Sequence, residues 1–358
     1  DQINHGSSFV KAKVLTTYAC NFACTYCVEE GIKAPVHMSQ ETAQRCVRYI
    51  ERKTEEYCPE ELYVSFYGGE PLLNLTALRI VARELNAYCQ KRELPFLVGI
   101  TTNGALLTPS LVDELVGYGL KGVKITLDGT REFHDAKRPY RSGKGSFDVI
   151  MQNILYAVDR IEVDIGGNFD DENYESFPEL LDYLKDKGLQ SKIHKVVFKP
   201  ISETVNERKG LSEGDDFGCV YGDPRTAPRM VKLREAVIER GFNPGPGIGL
   251  NLCDIVMNDA IFTVDPLGKI YKCPALVGYS EFEVGDLEQG ETKRSVPEDL
   301  WKRCMECTYV PLCGVGCLFS SYVRFGDPLR LNCQKKYVDY MVRENLKLNY
   351  RFSKKNSQ

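Results

Sequence analysis

Between residues 11 and 200 short β-branched runs alternate with longer stretches whose apolar positions recur at helical spacing. Strands are predicted over 12–17, 61–66, 95–102, 121–128, 161–166 and 193–199. Helices are predicted over 39–56, 75–91, 108–118, 146–159 and 174–187. In the first helix Ala43, Cys46, Val47 and Ile50 share a face, as do Leu78, Val81, Leu85 and Cys89 in the second. That spacing makes Cys46 and Cys89 small core residues, the common fate of a free cysteine. Ser39 is the expected N-cap, with Thr42 where a full capping box has Glu. Six strand–helix alternations imply a parallel sheet with right-handed crossovers.

The pattern changes near residue 200. A polar linker rich in Gly and Asp covers 201–224, a helix is predicted over 229–240, and the run from Asn243 to Gly249 marks a second boundary. The expected organisation is an extension (1–10), an α/β unit (11–200), a linker with a helix (201–252), a cysteine-rich unit (253–345) and a polar tail (346–358), frayed from Arg351 on. The formal charge of −4 on 358 residues argues against nucleic acid or an anionic membrane as the main partner. No apolar run approaches the ~20 residues of a membrane span, and the opening residues Asp1 to Gly6 lack a secretory pattern. Cys58 receives no role. The remaining cysteines, Cys219 aside, fall into tight ligand-like groups, which suits a reducing cytoplasm better than a disulfide framework.

The first group is Cys20, Cys24 and Cys27, directly after the run Val14-Leu15-Thr16-Thr17. Three thiolates on one loop can grip three corners of a cubane iron–sulfur cluster and leave one iron open. A structural zinc wants four closed ligands, and a thioredoxin-like reading of Cys24 and Cys27 leaves Cys20 unexplained. The loop resembles the C-x3-C-x-aromatic-C motif of the radical S-adenosylmethionine (SAM) enzymes, with Tyr26 as the aromatic. The resemblance implies an incomplete barrel of six strands, a [4Fe–4S] cluster whose open iron binds SAM, and a 5′-deoxyadenosyl radical that abstracts hydrogen. Functional groups in such folds gather at the C-terminal strand ends.

Gly68-Gly69-Glu70-Pro71 follows the second strand, where two glycines allow a close backbone approach to a ligand. It resembles the family's G-G-E motif, which contacts the SAM amino group. Strand three ends in Thr101-Thr102-Asn103, with Thr102 and Asn103 expected beside the cofactor. In strand four Lys124, Thr126 and Asp128 share one face, unusual where parallel strands bury both faces. Thr126 and Asp128 match the family position that contacts the SAM ribose or carboxylate, and Asn168 is expected to face SAM from strand five. His134, Asp135, Arg138 and Gly145-Ser146-Phe147 resemble a stretch common in peptide-modifying members; Arg138 and Arg141 receive no specific contact.

The later cysteines, Cys253, Cys273, Cys304, Cys307, Cys313, Cys317 and Cys333, resemble the SPASM domain at every cysteine of its pattern. By that resemblance Cys304, Cys307, Cys313 and Cys333 hold a distal auxiliary [4Fe–4S] cluster. Cys253, Cys273 and Cys317 hold a nearer one, making three clusters in all. The nearer set is one thiolate short; its fourth site is either open to a substrate thiolate or closed by Cys219, which is also the one candidate catalytic residue. The implied function is a radical SAM/SPASM oxidoreductase that modifies a ribosomally made precursor peptide, giving a thioether or other crosslink or an altered residue. Its implied partners are that peptide, a separate recognition protein and a reductant such as flavodoxin or ferredoxin. An anaerobic sulfatase maturase is the alternative enzyme, although that family's Asp after the second SPASM cysteine is here Pro274. A non-catalytic iron–sulfur or zinc scaffold is the alternative of another class.

Overall fold

In the computed structural model, residues 8–202, 222–247, 253, 258–292, 302, 304–314 and 316–355 are described. Six parallel strands come first: β1 (Phe9–Leu15), β2 (Glu61–Tyr67), β3 (Phe96–Thr102), β4 (Leu120–Thr126), β5 (Glu162–Phe169) and β6 (Lys195–Pro200). They lie side by side in chain order, and β6 ends the sheet without returning to β1. The result is the expected incomplete six-stranded barrel.

Helices α1 (Gln40–Tyr57), α2 (Leu75–Gln90), α3 (Pro109–Val116), α4 (Arg131–Lys137), α5 (Phe147–Ala157) and α6 (Phe177–Asp186) connect these strands. α7 (Ala227–Glu239) follows. Ser39 caps α1 as expected, its side chain accepting from the Thr42 amide at 3.0 Å. Helix α4 was absent from the sequence expectation; at seven residues it is too short for a periodic pattern.

Each strand is two-faced. Val10, Ala12 and Val14 on β1, Leu62, Val64 and Phe66 on β2, and Val163 and Ile165 on β5 are buried in the main core. The alternate positions, among them Lys11, Lys13, Tyr63, Ser65, Lys124, Asp164 and Lys199, line the concave side. Strand four is therefore not the exception: polar residues also stand at inner positions of β1, β2, β5 and β6 in a barrel that does not close.

The cysteine-rich end departs more from expectation. β7 (Ile261–Val264) pairs parallel to β1, so β1 has neighbours on both sides, and β8 (Lys269–Tyr271), β9 (Gly285–Asp286) and β10 (Gly290–Glu291) extend the sheet antiparallel. Helices α8 (Val310–Cys313), α9 (Leu318–Phe325) and α10 (Lys335–Lys355) complete the chain. The segment from residue 346 expected as a polar tail is helical as far as Lys355, because Asn345 and Leu348 of α10 are buried and hold the helix against the body.

Cys46 and Cys89 are buried in the main core, 0% and 1% exposed. Cys46→Ala is expected to cost about 1 kcal/mol in chemical denaturation, the scale of a small cavity, and to leave iron content unchanged. Loss of iron from this variant would make Cys46 a ligand.

Candidate functional site

The three-thiol loop follows β1 and has no regular structure, so its shape is set by what grips it. The first grip comes from the segment after β2. The Gly69 and Glu70 amides donate to the Thr17 and Ala19 carbonyls at 3.1 and 2.9 Å. A Cβ on Gly68 would stand 2.4 Å from the Thr17 oxygen and one on Gly69 2.3 Å from the Ala19 oxygen, and Gly68 has φ +130°. The close approach that these glycines permit is thus to the cysteine loop's own backbone. Glu70 is wholly buried: it accepts from the Leu72 amide (3.1 Å), Thr102 Oγ1 (2.7 Å) and the Asn103 amide (2.7 Å). Burial pushes its carboxyl above the usual range while these donors pull it back. Asn103 also donates to Asn21 within the loop at 2.7 Å.

The second grip comes from residues 137–141. The Ala23 and Thr25 amides donate to the Pro139 and Lys137 carbonyls, and the Arg141 amide donates to Asn21. Arg141 Nε donates to the Cys20 carbonyl at 2.7 Å, and Phe22 meets Tyr140 edge-on at 4.8 Å. The segment after β2 and the segment after α4 therefore clamp the loop from either side.

The loop's aromatic residue is locked between them. Tyr26 donates its hydroxyl to Asp128, and accepts from Arg138 (2.6 Å) and Asn168 Nδ2 (3.0 Å). The Asn168 amide donates to Asp128 at 2.7 Å. Asp128 is fully buried; burial raises its carboxyl, and Arg138, 3.7 Å away, together with these donors opposes the shift. The structure thus brings together Tyr26, Asp128 and Asn168, three residues the sequence singled out, in contact with one another, with Arg138 as the member that sequence reasoning missed. No linear pattern pairs Arg138 with a tyrosine 112 residues away. Thr126, half-buried at the end of β4, stands outside the network.

His134 and Asp135 support this arrangement from behind. His134 is wholly buried, its Nδ1 accepting from the Asp128 amide at 3.2 Å and its Nε2 lying 3.0 Å from Ser146 Oγ. Because Ser146 donates to the Arg138 carbonyl, His134 is the neutral Nε2–H tautomer. Asp135 accepts from the Ser146 and Phe147 amides at the start of α5.

The thiols lie in each other's electrostatic field in three sets. Cys24 acts on both Cys20 and Cys27, Cys317 and Cys253 act on Cys273, and Cys333 and Cys304 act on Cys313. Tyr67, at the C-terminal end of β2, lies in the field of Glu29, Cys27 and Cys273 together. Cys307 is half-buried on the turn before α8. Among the described residues no three or more His, Cys, Asp or Glu side chains are gathered tightly enough to hold a single ion. Cys219 lies outside the described residues, as does Asp254, one of two carboxylates near the second set in sequence. Asp265, the other carboxylate near the second set, accepts from Tyr18 at 2.6 Å and from the Leu267 and Lys269 amides, so it serves a turn. No helix among the described residues is long and apolar enough to cross a membrane.

The Radical SAM superfamily profile covers residues 14–184. The chain is 31% identical over 358 residues to a serine-type anaerobic sulfatase-maturating enzyme of Bacteroides thetaiotaomicron, covering 86% of this chain and 82% of that one. It is 25% identical over 330 residues to the mycofactocin maturase MftC of Mycolicibacterium smegmatis, covering 86% and 77%. Its fold resembles native anSMEcpe with bound AdoMet and Kp18Cys peptide, with TM-score 0.71, 19% identity, and 95% and 99% of the two chains covered. The chain belongs to the radical SAM superfamily. A [4Fe–4S] cluster and SAM are the cofactors that membership carries.

Burial holds His134 far below its ordinary value of 6.5, so the folded protein stays unprotonated where the unfolded chain takes up a proton. Its contribution to stability is present above pH 6.5 and is lost as pH falls below it, by about 1.4 kcal/mol per pH unit. Denaturation between pH 7 and pH 5 is expected to show this slope in the wild type and a shallower one in His134→Gln. Equal slopes would place the proton elsewhere.

Proposed function

We propose that this chain is a radical SAM peptide maturase whose loop thiols Cys20, Cys24 and Cys27 hold the SAM-binding [4Fe–4S] cluster. When bound, the cluster and SAM supply a 5′-deoxyadenosyl radical that abstracts hydrogen from a residue of a precursor peptide. The chain's own part is to present three free thiols from a loop clamped on both sides. The observation that carries this reading is the Tyr26–Asp128–Arg138–Asn168 network, which ties that loop to the ends of β4 and β5. Gly68, Gly69, Glu70, Thr102, Asn103, Thr126, Asp128 and Asn168 form the cofactor's surroundings in this reading. Glu70 acts mainly by positioning, since both its oxygens already accept from protein groups.

Two auxiliary clusters follow from the remaining thiols: Cys253, Cys273 and Cys317 hold the nearer one, and Cys304, Cys307, Cys313 and Cys333 the distal one. The grouping of Cys273 with Cys317 and Cys253, and of Cys313 with Cys333 and Cys304, supports this division. A flavodoxin- or ferredoxin-like reductant supplies the electron. Substrates are taken to be peptides because the similar chains include a mycofactocin maturase and a protein solved with a peptide bound.

The sulfatase-maturase reading keeps one specific observation, the 31% identity to a serine-type member. Against it, Cys273 is followed by Pro274, Ala275 and Leu276, and Asp265 is committed to its turn. A serine-bearing sulfatase peptide left unconverted, while SAM is cleaved, favours the main reading.

Reduction with dithionite in the presence of SAM is expected to yield 5′-deoxyadenosine. Replacing Cys20, Cys24 and Cys27 together by Ala abolishes that yield and removes one cluster's iron. Product from the triple variant would sink the assignment.

A further inference from the structure

The inner face of the sheet carries a chemistry that radical generation does not use. Lys11 and Lys13 of β1, Lys124 of β4 and Lys195 and Lys199 of β6 all occupy lumen-facing positions. Asp164 on β5 pairs with Lys195 at 2.8 Å and with His194 at 2.7 Å. Lys11 and Lys13 lie over the rings of Tyr63 and Tyr67, at 5.7 and 5.1 Å. Among the described residues, no carboxylate stands within ion-pair distance of Lys11, Lys13, Lys124 or Lys199.

The small residues of the sheet make room for these chains. The stem of Lys124 lies across Gly166, where a Cβ would come 3.0 Å from its Cε. Gly99 clears space for Tyr63 in the same way, since a Cβ there would meet the phenol oxygen at 2.1 Å. At the N-terminal strand ends a cavity of about 510 Å³ opens between Lys11, Lys121, Lys124 and Lys195, with Glu61, Glu162 and Asp164 also in its wall. Enclosure by the barrel walls, and then the neighbouring Lys199, bring the Lys124 ammonium down to about 8 against the opposing pull of Asp164.

Four ammonium groups that no carboxylate meets within ion-pair distance stand on one concave face, where Glu29, Asp164 and Asp128 oppose the charges of Lys13, Lys124 and Lys199 only from farther off. They also stand at several heights. Lys124 is level with Asp164 and Lys195 across the sheet, and Lys199 stands four residues beyond Lys195, about 13 Å up the lumen. One small anion cannot reach across that span, whereas an extended segment with alternating carboxylates can.

We propose that the lumen takes an acidic stretch of the peptide substrate, with Asp or Glu carboxylates paired to Lys11, Lys124 and Lys199 and the Tyr63 and Tyr67 rings flanking its backbone. This rests on the peptide-maturase reading and specifies the charge of its substrate. Charged lysines that are partly enclosed select by sign and steer encounter, and their effect fades with salt.

The test uses the anaerobically reconstituted holoenzyme and fluorescein-labelled Gly-Glu-Gly-Glu-Gly and Gly-Gln-Gly-Gln-Gly peptides, read by anisotropy. The acidic peptide is expected to bind about tenfold tighter at low ionic strength, with the advantage shrinking as salt is added. Lys124→Gln and Lys199→Gln each weaken it about fivefold, and Lys124→Arg restores it. Equal binding of the two peptides by the wild type, or an acidic preference that salt does not touch, overturns the proposal without need of any variant. So does a preference that survives in the Lys11→Gln, Lys124→Gln, Lys199→Gln triple variant. Release of 5′-deoxyadenosine by the wild type is measured separately: an enzyme that cleaves SAM yet ignores peptide charge loses only the lumen proposal, and one that cleaves none loses the radical reading.

Discussion

Everything at the mouth of this barrel depends on one buried carboxylate. Asp128 has no access to water, and Tyr26, Asn168 and Arg138 converge on it and oppose the upward push of burial on its carboxyl. Those partners come from the cysteine loop, β5 and the segment after α4. A short irregular loop cannot hold three thiols in fixed relation by itself, since its backbone freedom is large. The buried network removes that freedom from the middle of the loop, while Gly69, Glu70, Pro139 and Arg141 fix the backbone on either side.

The same residues explain why two features that read as ligand chemistry turn out to be architecture as well. Gly68 and Gly69 are small because the Thr17 and Ala19 carbonyls lie where side chains would go. Glu70 is acidic because three donors from Leu72, Thr102 and Asn103 need an acceptor in a dry place. Preorganisation of this kind is what a reactive site requires of its supports.

Much of this was legible in the chain. The alternation of β-branched runs with helical stretches implied the sheet, helical spacing placed Cys46 and Cys89 in the core, and the cysteine motif and the strand ends singled out Tyr26, Asp128 and Asn168. What stayed hidden has a physical reason in each case. Arg138 is a charged residue on an irregular segment, and only the folded chain brings it to Tyr26. Strand β7 has four residues, buried throughout, too few to show a period. The Lys11 and Lys13 alternation was visible, but a polar inner face contradicts the expectation for parallel strands until the barrel is known to be open.

The placement of β1 also bears on how the chain assembles. Its Lys11 to Val14 backbone pairs on one side with β2 and on the other with residues 261–264. A strand made first is thus completed by a segment made some 250 residues later. At ribosomal speeds of about 5–20 residues per second, that edge waits unpaired for many seconds. It carries Lys11 and Lys13, charges of the kind that discourage an exposed edge from pairing with another chain. The lysines of the lumen would then guard the nascent sheet from aggregation before any substrate reaches the finished one.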